Sequence, residues 1–150
     1  QEGTICTSDF FVLKGSFRQY YLDEKGKEHI VQFAFTDWWI SDWYSILHHT
    51  PSEYNIEALE DSEYIQISKE SLDFLFASIP LLEKYFRIMF QKAFVAQQRR
   101  ITSLQKPAEE RYKDFLNTYR HFEDEVSQAH IASYLGITRE SLNRIKNQGK

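Results

Sequence analysis

Between Gly26 and Gly136 the chain contains no glycine, so the residue that ends this run carries the backbone freedom of a long stretch. Gly136 stands inside Ser127-Gln128-Ala129-His130-Ile131-Ala132-Ser133-Tyr134-Leu135-Gly136-Ile137-Thr138-Arg139-Glu140-Ser141-Leu142-Asn143-Arg144-Ile145. A glycine there supplies the left-handed conformation that stops one helix and opens a sharp turn. Ser127 is placed to cap the first helix and Thr138 the second, each accepting from N–H groups that an opening turn leaves unpaired. Ile131 and Leu135 read as inward-pointing, and Ala132 as the small residue where two helices cross closely. Glu140 falls in the positive first turn of the second helix. A helical hairpin with a solvated outer face explains the charges. It does not explain a small residue, a glycine and two caps at these offsets, which define a helix-turn-helix.

The second helix has two faces. Leu142, Ile145 and Thr138 fall within an arc of about 60° at 100° per residue. Arg139, Glu140, Asn143, Arg144 and Asn147 occupy a separate arc of about 140°. A protruding helix with a narrow apolar anchor and a broad face of hydrogen-bonding side chains is what a DNA major groove admits. Arginine suits the guanine acceptors, and glutamate can accept from cytosine. The expected DNA-facing set is Ser127, Gln128, Thr138, Arg139, Glu140, Ser141, Asn143, Arg144 and Asn147. Arg99, Arg100, Lys146 and Lys150 are expected to add non-specific attraction to phosphates.

Upstream, residues 1–68 read as strands. Phe10–Lys14, Ser16–Leu22 and His29–Phe35 are β-rich runs broken at Gly15 and at Asp23-Glu24-Lys25-Gly26-Lys27, a hairpin pattern. Further strands are expected at Tyr54–Leu59 and Glu63–Ser68, with a short aromatic helix over Asp37–His49 between. Helices follow from Ser68 or Lys69 through Ala77, from about Leu81 to Leu104, and from Pro107 through Tyr119. In the long one, Leu82, Phe86, Met89, Ala93 and Ala96 recur at spacings of four and three, the seam of a coiled coil. Leu81, Tyr85, Ile88, Phe90, Phe94, Val95 and Ile101 lie on its flanks. Apolar on two sides, this helix needs cover on two sides: the strands and a second copy of the chain, or a monomer that encloses it entirely. Glu123-Asp124-Glu125 reads as a solvated connector.

Charge divides along the chain. The net charge is −4, but residues 1–98 hold 8 Lys/Arg against 15 Asp/Glu, whereas residues 99–150 hold 10 against 7. A local basic surface is what attracts nucleic acid. One cysteine, Cys6, forbids an internal disulfide framework and points to a reducing, cytoplasmic setting; it reads as a half-buried thiol or a redox sensor. No run is long enough to cross a bilayer, so no membrane partner is expected. His48-His49 reads as surface, because adjacent residues diverge from one ion. No metal, cofactor or catalytic constellation is expected.

The run Thr138-Arg139-Glu140-Ser141-Leu142-Asn143-Arg144-Ile145 resembles the recognition helix of the Crp/Fnr family of bacterial regulators, of the form Ser/Thr-Arg-Glu-Thr-Val-x-Arg-Ile/Leu. By that match Arg139, Glu140 and Arg144 fall on base-reading positions. The resemblance implies an α+β chain: a cyclic-nucleotide-binding-like β-roll over 1–79 lacking its first strands, a long dimerisation helix over 80–105, and a winged helix-turn-helix over 106–150. Arg120–Val126 leaves space for a vestigial wing only. It also implies a homodimer on an inverted repeat of double-stranded DNA, with RNA polymerase as a further partner. The family's nucleotide site uses a Gly-Glu pair and a later Arg followed by Ser or Thr. Residues 28–68 hold eight acids and no Lys, Arg or Gly, so a cyclic phosphate finds no cationic partner and cyclic AMP is not expected to bind. Trp38, Trp39 and Trp43 read as an effector pocket for an aromatic or apolar small molecule, or as packing. Two other functions compete: a small-molecule receptor with a degenerate DNA-reading end acting through protein partners, and a cupin-like enzyme, which lacks a convergent histidine set.

Overall fold

The computed structural model describes residues 1–148; Lys150, one of the expected phosphate-attracting cations, lies outside them. β1 (Ser8–Lys14) and β2 (Ser16–Leu22) are separated by Gly15 alone, whose φ is +91° and whose missing Cβ would stand 2.2 Å from Ser62 Oγ. Only glycine fits. β3 (Glu28–Phe35) returns along β2 through a turn in which Asp23 Oδ1 accepts from the backbone N–H of Lys25 and Lys27. With β4 (Trp39–Ile40), β5 (Asn55–Ala58) and β6 (Glu63–Ser68) they form two antiparallel sheets, ordered β4-β1-β6 and β3-β2-β5. Val12 and Ile40 from one sheet meet Phe17 and Ala34 from the other in a small shared core.

The helix expected over Asp37–His49 is shorter than its composition suggested. Asp37 turns with φ +70°, and Trp39 and Ile40 pair with Phe11 and Phe10 as an edge strand. Only then does α1 (Trp43–His48) begin, where the Asp42 carboxylate accepts from the N–H groups of Tyr44 and Ser45. Aromatic residues suit a strand as well as a helix, and the cap decides between them.

Helices make up the rest. α2 (Lys69–Ser78) is capped by Ser68, and α3 (Pro80–Leu104) starts on a proline, which costs nothing where the first N–H has no partner. α4 (Ala108–Tyr119), α5 (Gln128–Leu135) and α6 (Arg139–Gln148) follow. No wing hairpin lies between α4 and α5: Arg120–Glu125 is a single 3-10 segment, too short for two paired strands. Nor is Glu123 a merely solvated connector residue. Its Oε1 accepts from Tyr112 Oη at 2.6 Å and from Lys146 Nζ at 2.6 Å, tying this segment to α4 and α6.

The main core crosses the molecule. Ile30, Phe33 and Phe35 on β3 pack with Tyr112, Phe115 and Tyr119 of α4, and with Ile131, Ala132, Leu135 and Leu142 of the last two helices. The strands and the last two helices therefore share one apolar interior.

Candidate nucleic-acid interface

Caps and glycine take the positions read from the sequence. Ser127 Oγ accepts from His130 N, Thr138 Oγ1 accepts from Ser141 N, and Gly136 holds φ +66°, ψ +35° after α5. Leu142 is fully buried, Ile145 half-buried, and Arg139, Glu140, Asn143, Arg144 and Asn147 are exposed along the opposite side of α6. Ser127 and Thr138 are exposed but engaged as caps, while Gln128 and Ser141 are half-buried. The Glu140 carboxyl is held below the usual range by its own backbone N–H and by the Thr138 hydroxyl, so it presents an acceptor.

The expected flanking cations are mostly occupied. Lys146 is bound to Glu123. Arg100 is half-buried, donating from Nη2 to Ile30 O at 3.0 Å with its guanidinium 3.7 Å over the Tyr134 ring. Arg99 is exposed and makes no ion pair among the described residues.

α5 is held by the sheet behind it. Ser133 Oγ accepts from Ile30 N at 3.1 Å and donates to Glu28 O at 3.0 Å. With Arg100 it therefore satisfies backbone groups on the free edge of β3, which an uncovered edge strand would leave open. Beside this edge, Arg18 is buried between Glu28 and Glu57 and donates from Nη1 to His130 Nε2 at 3.1 Å. Burial and the Arg18 charge hold the His130 imidazole below its ordinary pKa, in the neutral form that can accept. Sequence reasoning missed this contact. The one available signal was Arg18 itself, a cation in the middle of a β-rich run.

The long helix corrects two expectations. Phe86, placed in the dimer seam, is 2% exposed and packs within its own chain on Trp39, Phe76 and Phe90. Leu82 and Met89 are half-buried, and Ala93 and Ala96 are exposed on the flank that, with Met89, borders an open groove against the rest of the chain. The large exposed apolar residues of the helix are Leu81, Tyr85, Ile88, Phe90, Phe94, Val95, Ile101 and Leu104. Of the three tryptophans, Trp38 and Trp39 border that same groove, and Trp43 does not. Trp38 packs on Tyr119 and Phe122, Trp39 on Phe11 and Phe86, and Trp43 on Phe90.

The β unit encloses a cavity of about 330 Å³ lined among others by Cys6, Phe17, Asp42, Tyr54 and Gln66. Cys6 is half-buried and donates from Sγ to Ser8 O at 3.4 Å.

Residues 1–78, the β unit and α2, match the family model of the cyclic nucleotide-binding domain. The chain belongs to that family. It also shares its fold with solved structures that span the cyclic nucleotide-binding domain and the helices after it. FixK2 from Bradyrhizobium japonicum is 20% identical with a TM-score of 0.78, over 98% of this chain and 76% of that one. A CooA mutant from Carboxydothermus hydrogenoformans is 17% identical with a TM-score of 0.77, over 99% and 73%. A putative transcriptional regulator of the Crp/Fnr family from Eubacterium rectale is 22% identical with a TM-score of 0.66, over 99% and 74%. No curated protein matches the chain significantly. Within this cyclic nucleotide-binding domain no Lys or Arg lines the cavity, and its one lining carboxylate, Asp42, is spent capping α1.

Proposed function

We propose that this chain is a homodimeric, sequence-specific DNA-binding transcription regulator that reads an inverted repeat with α6 and works without cyclic AMP. The carrying observation is the geometry of α6: Leu142 fully buried on one side, with Arg139, Glu140, Asn143, Arg144 and Asn147 exposed on the other. Such a helix can enter a major groove without unfolding anything. Dimerisation along α3 is supported by its outward apolar residues, since Leu81, Ile88 and Val95 recur at seven, one position of a coiled-coil heptad. This seam replaces the one centred on Phe86. Independence from cyclic AMP is supported by the cavity, which offers an anionic phosphate no cationic side chain.

The test starts from an inverted repeat selected from random DNA with the full chain. Arg139→Ala and Arg144→Ala are each expected to weaken binding by about 1–3 kcal/mol per half-site and to relax the preference at one base position. Adding cyclic AMP is expected to change neither affinity nor melting temperature. Unaltered affinity and preference in both variants would remove α6 as the reading surface.

A further inference from the structure

A second concavity lies outside the β unit, on the outer side of β3, walled by α3, α4 and α5. It measures about 1150 Å³ and shares no lining residue with the interior cavity. The chemistry of the two spaces is opposite. Five cations, Lys92, Arg99, Arg100, Lys106 and Arg111, border the groove against two carboxylates, Asp37 and Asp114. Asp114 is already neutralised by Lys106 at 2.8 Å. Arg100 Nη1 is buried with no hydrogen-bond partner among the described residues, although its other terminal nitrogen and its face are both used. A buried guanidinium N–H without an acceptor is costly in a folded protein, and a bound acceptor relieves that cost. The walls between the cations are aromatic, with Trp38, Trp39, Tyr119 and Tyr134 among them.

We propose that this groove binds an anionic aromatic small molecule, its acid group towards Arg99 and Arg100 and its ring against the Trp38 side. Positive lining selects the charge, and ring faces supply the area that drives a planar ligand out of water. Such a ligand touches the β unit and the helices after it at once. The seam proposed above meets the groove only at Val95, which borders it: at about 100° per residue, Leu81 and Ile88 fall on one other flank of α3 from Met89, Ala96 and Arg100, and Phe94 on another. The site stands whether or not α6 reads DNA.

The test uses the full chain and 1-naphthoate, with neutral 1-naphthamide as comparator, in calorimetric titrations. Naphthoate is expected to bind saturably, and naphthamide about tenfold more weakly or not at all. The double substitution Lys92→Gln, Arg99→Gln, at two exposed positions, is expected to weaken naphthoate about five- to tenfold and to narrow its advantage over naphthamide. Ala96→Phe, which fills the groove from an exposed helix position, is expected to abolish binding, while Lys84→Gln on the outward side of α3 leaves it unchanged. The proposal is overturned if naphthoate fails to bind, if naphthamide binds equally well, or if Ala96→Phe retains full affinity.

Discussion

The two helices of the C-terminal hairpin sit three residues apart in sequence and meet opposite surroundings. α5 is bound on its inner side to the edge of β3 and to Arg18, through Ser133 and His130. α6 is anchored by Leu142, Ile145 and the Lys146–Glu123 bridge, and its whole outer arc is left open. The difference teaches how a helix can be held firmly and still leave a broad face exposed. One helix takes the polar ties that fix the pair to the body, so the other need spend only two apolar residues and one ion pair on anchorage.

Three changes probe this division of labour. The largest effect is expected from Leu142→Ala, which empties a fully buried site at the centre of the α6 anchor and should cost about 2–5 kcal/mol in a urea melt. A loss below 1 kcal/mol would mean that α6 is held by something else. Next comes Ser133→Ala, which removes both hydrogen bonds from α5 to the β3 edge and should cost about 1–2 kcal/mol. Hydrogen exchange at Ile30, whose N–H loses its acceptor, should accelerate in this variant; unchanged protection there would argue against the α5 tie. The smallest concerns pH. His130 faces Arg18, with Glu28 and Glu57 on the neighbouring strands, and its folded pKa lies below its ordinary value. The unfolded chain therefore binds this proton more readily, so His130 favours folding fully above about pH 6.5 and progressively less as pH falls from there. Glu28, lowered by its hydrogen bond to Arg18, loses its contribution only in the carboxylate range below. His130→Gln is expected to shrink the stability difference between pH 7.5 and pH 5.5, measured by urea midpoints; an identical difference in both proteins would contradict the assignment.

Much of this was legible because it is local. Gly136 and its two caps act within a few residues, so their spacing alone marks both helices, and hairpins such as β2–β3 declare themselves in the turn between them. The outer arc of α6 follows from helical periodicity once Leu142 is taken as inward. What could not be read depends on contacts distant in sequence. Periodicity shows that α3 has several apolar faces but not which one the β unit covers, and so Phe86 was given to a partner when Trp39 and Phe76 already enclose it. The three tryptophans look like one pocket because they are close in the chain, yet only Trp38 and Trp39 border a common groove, while Trp43 packs on Phe90. Glu123 looked solvated among acids, since nothing nearby in sequence announces Lys146, 23 residues on.

Rings carry the junction between the two halves: Phe35 stacks on Phe122 at 3.9 Å, Trp38 lies on Tyr119 at 5.8 Å, and Phe33 meets Tyr134 at 5.4 Å. A junction packed in this way leaves no thin waist between the strands and the helices among the described residues. Heat should therefore dismantle the molecule in a single step, the strands and the last two helices losing their order at one temperature.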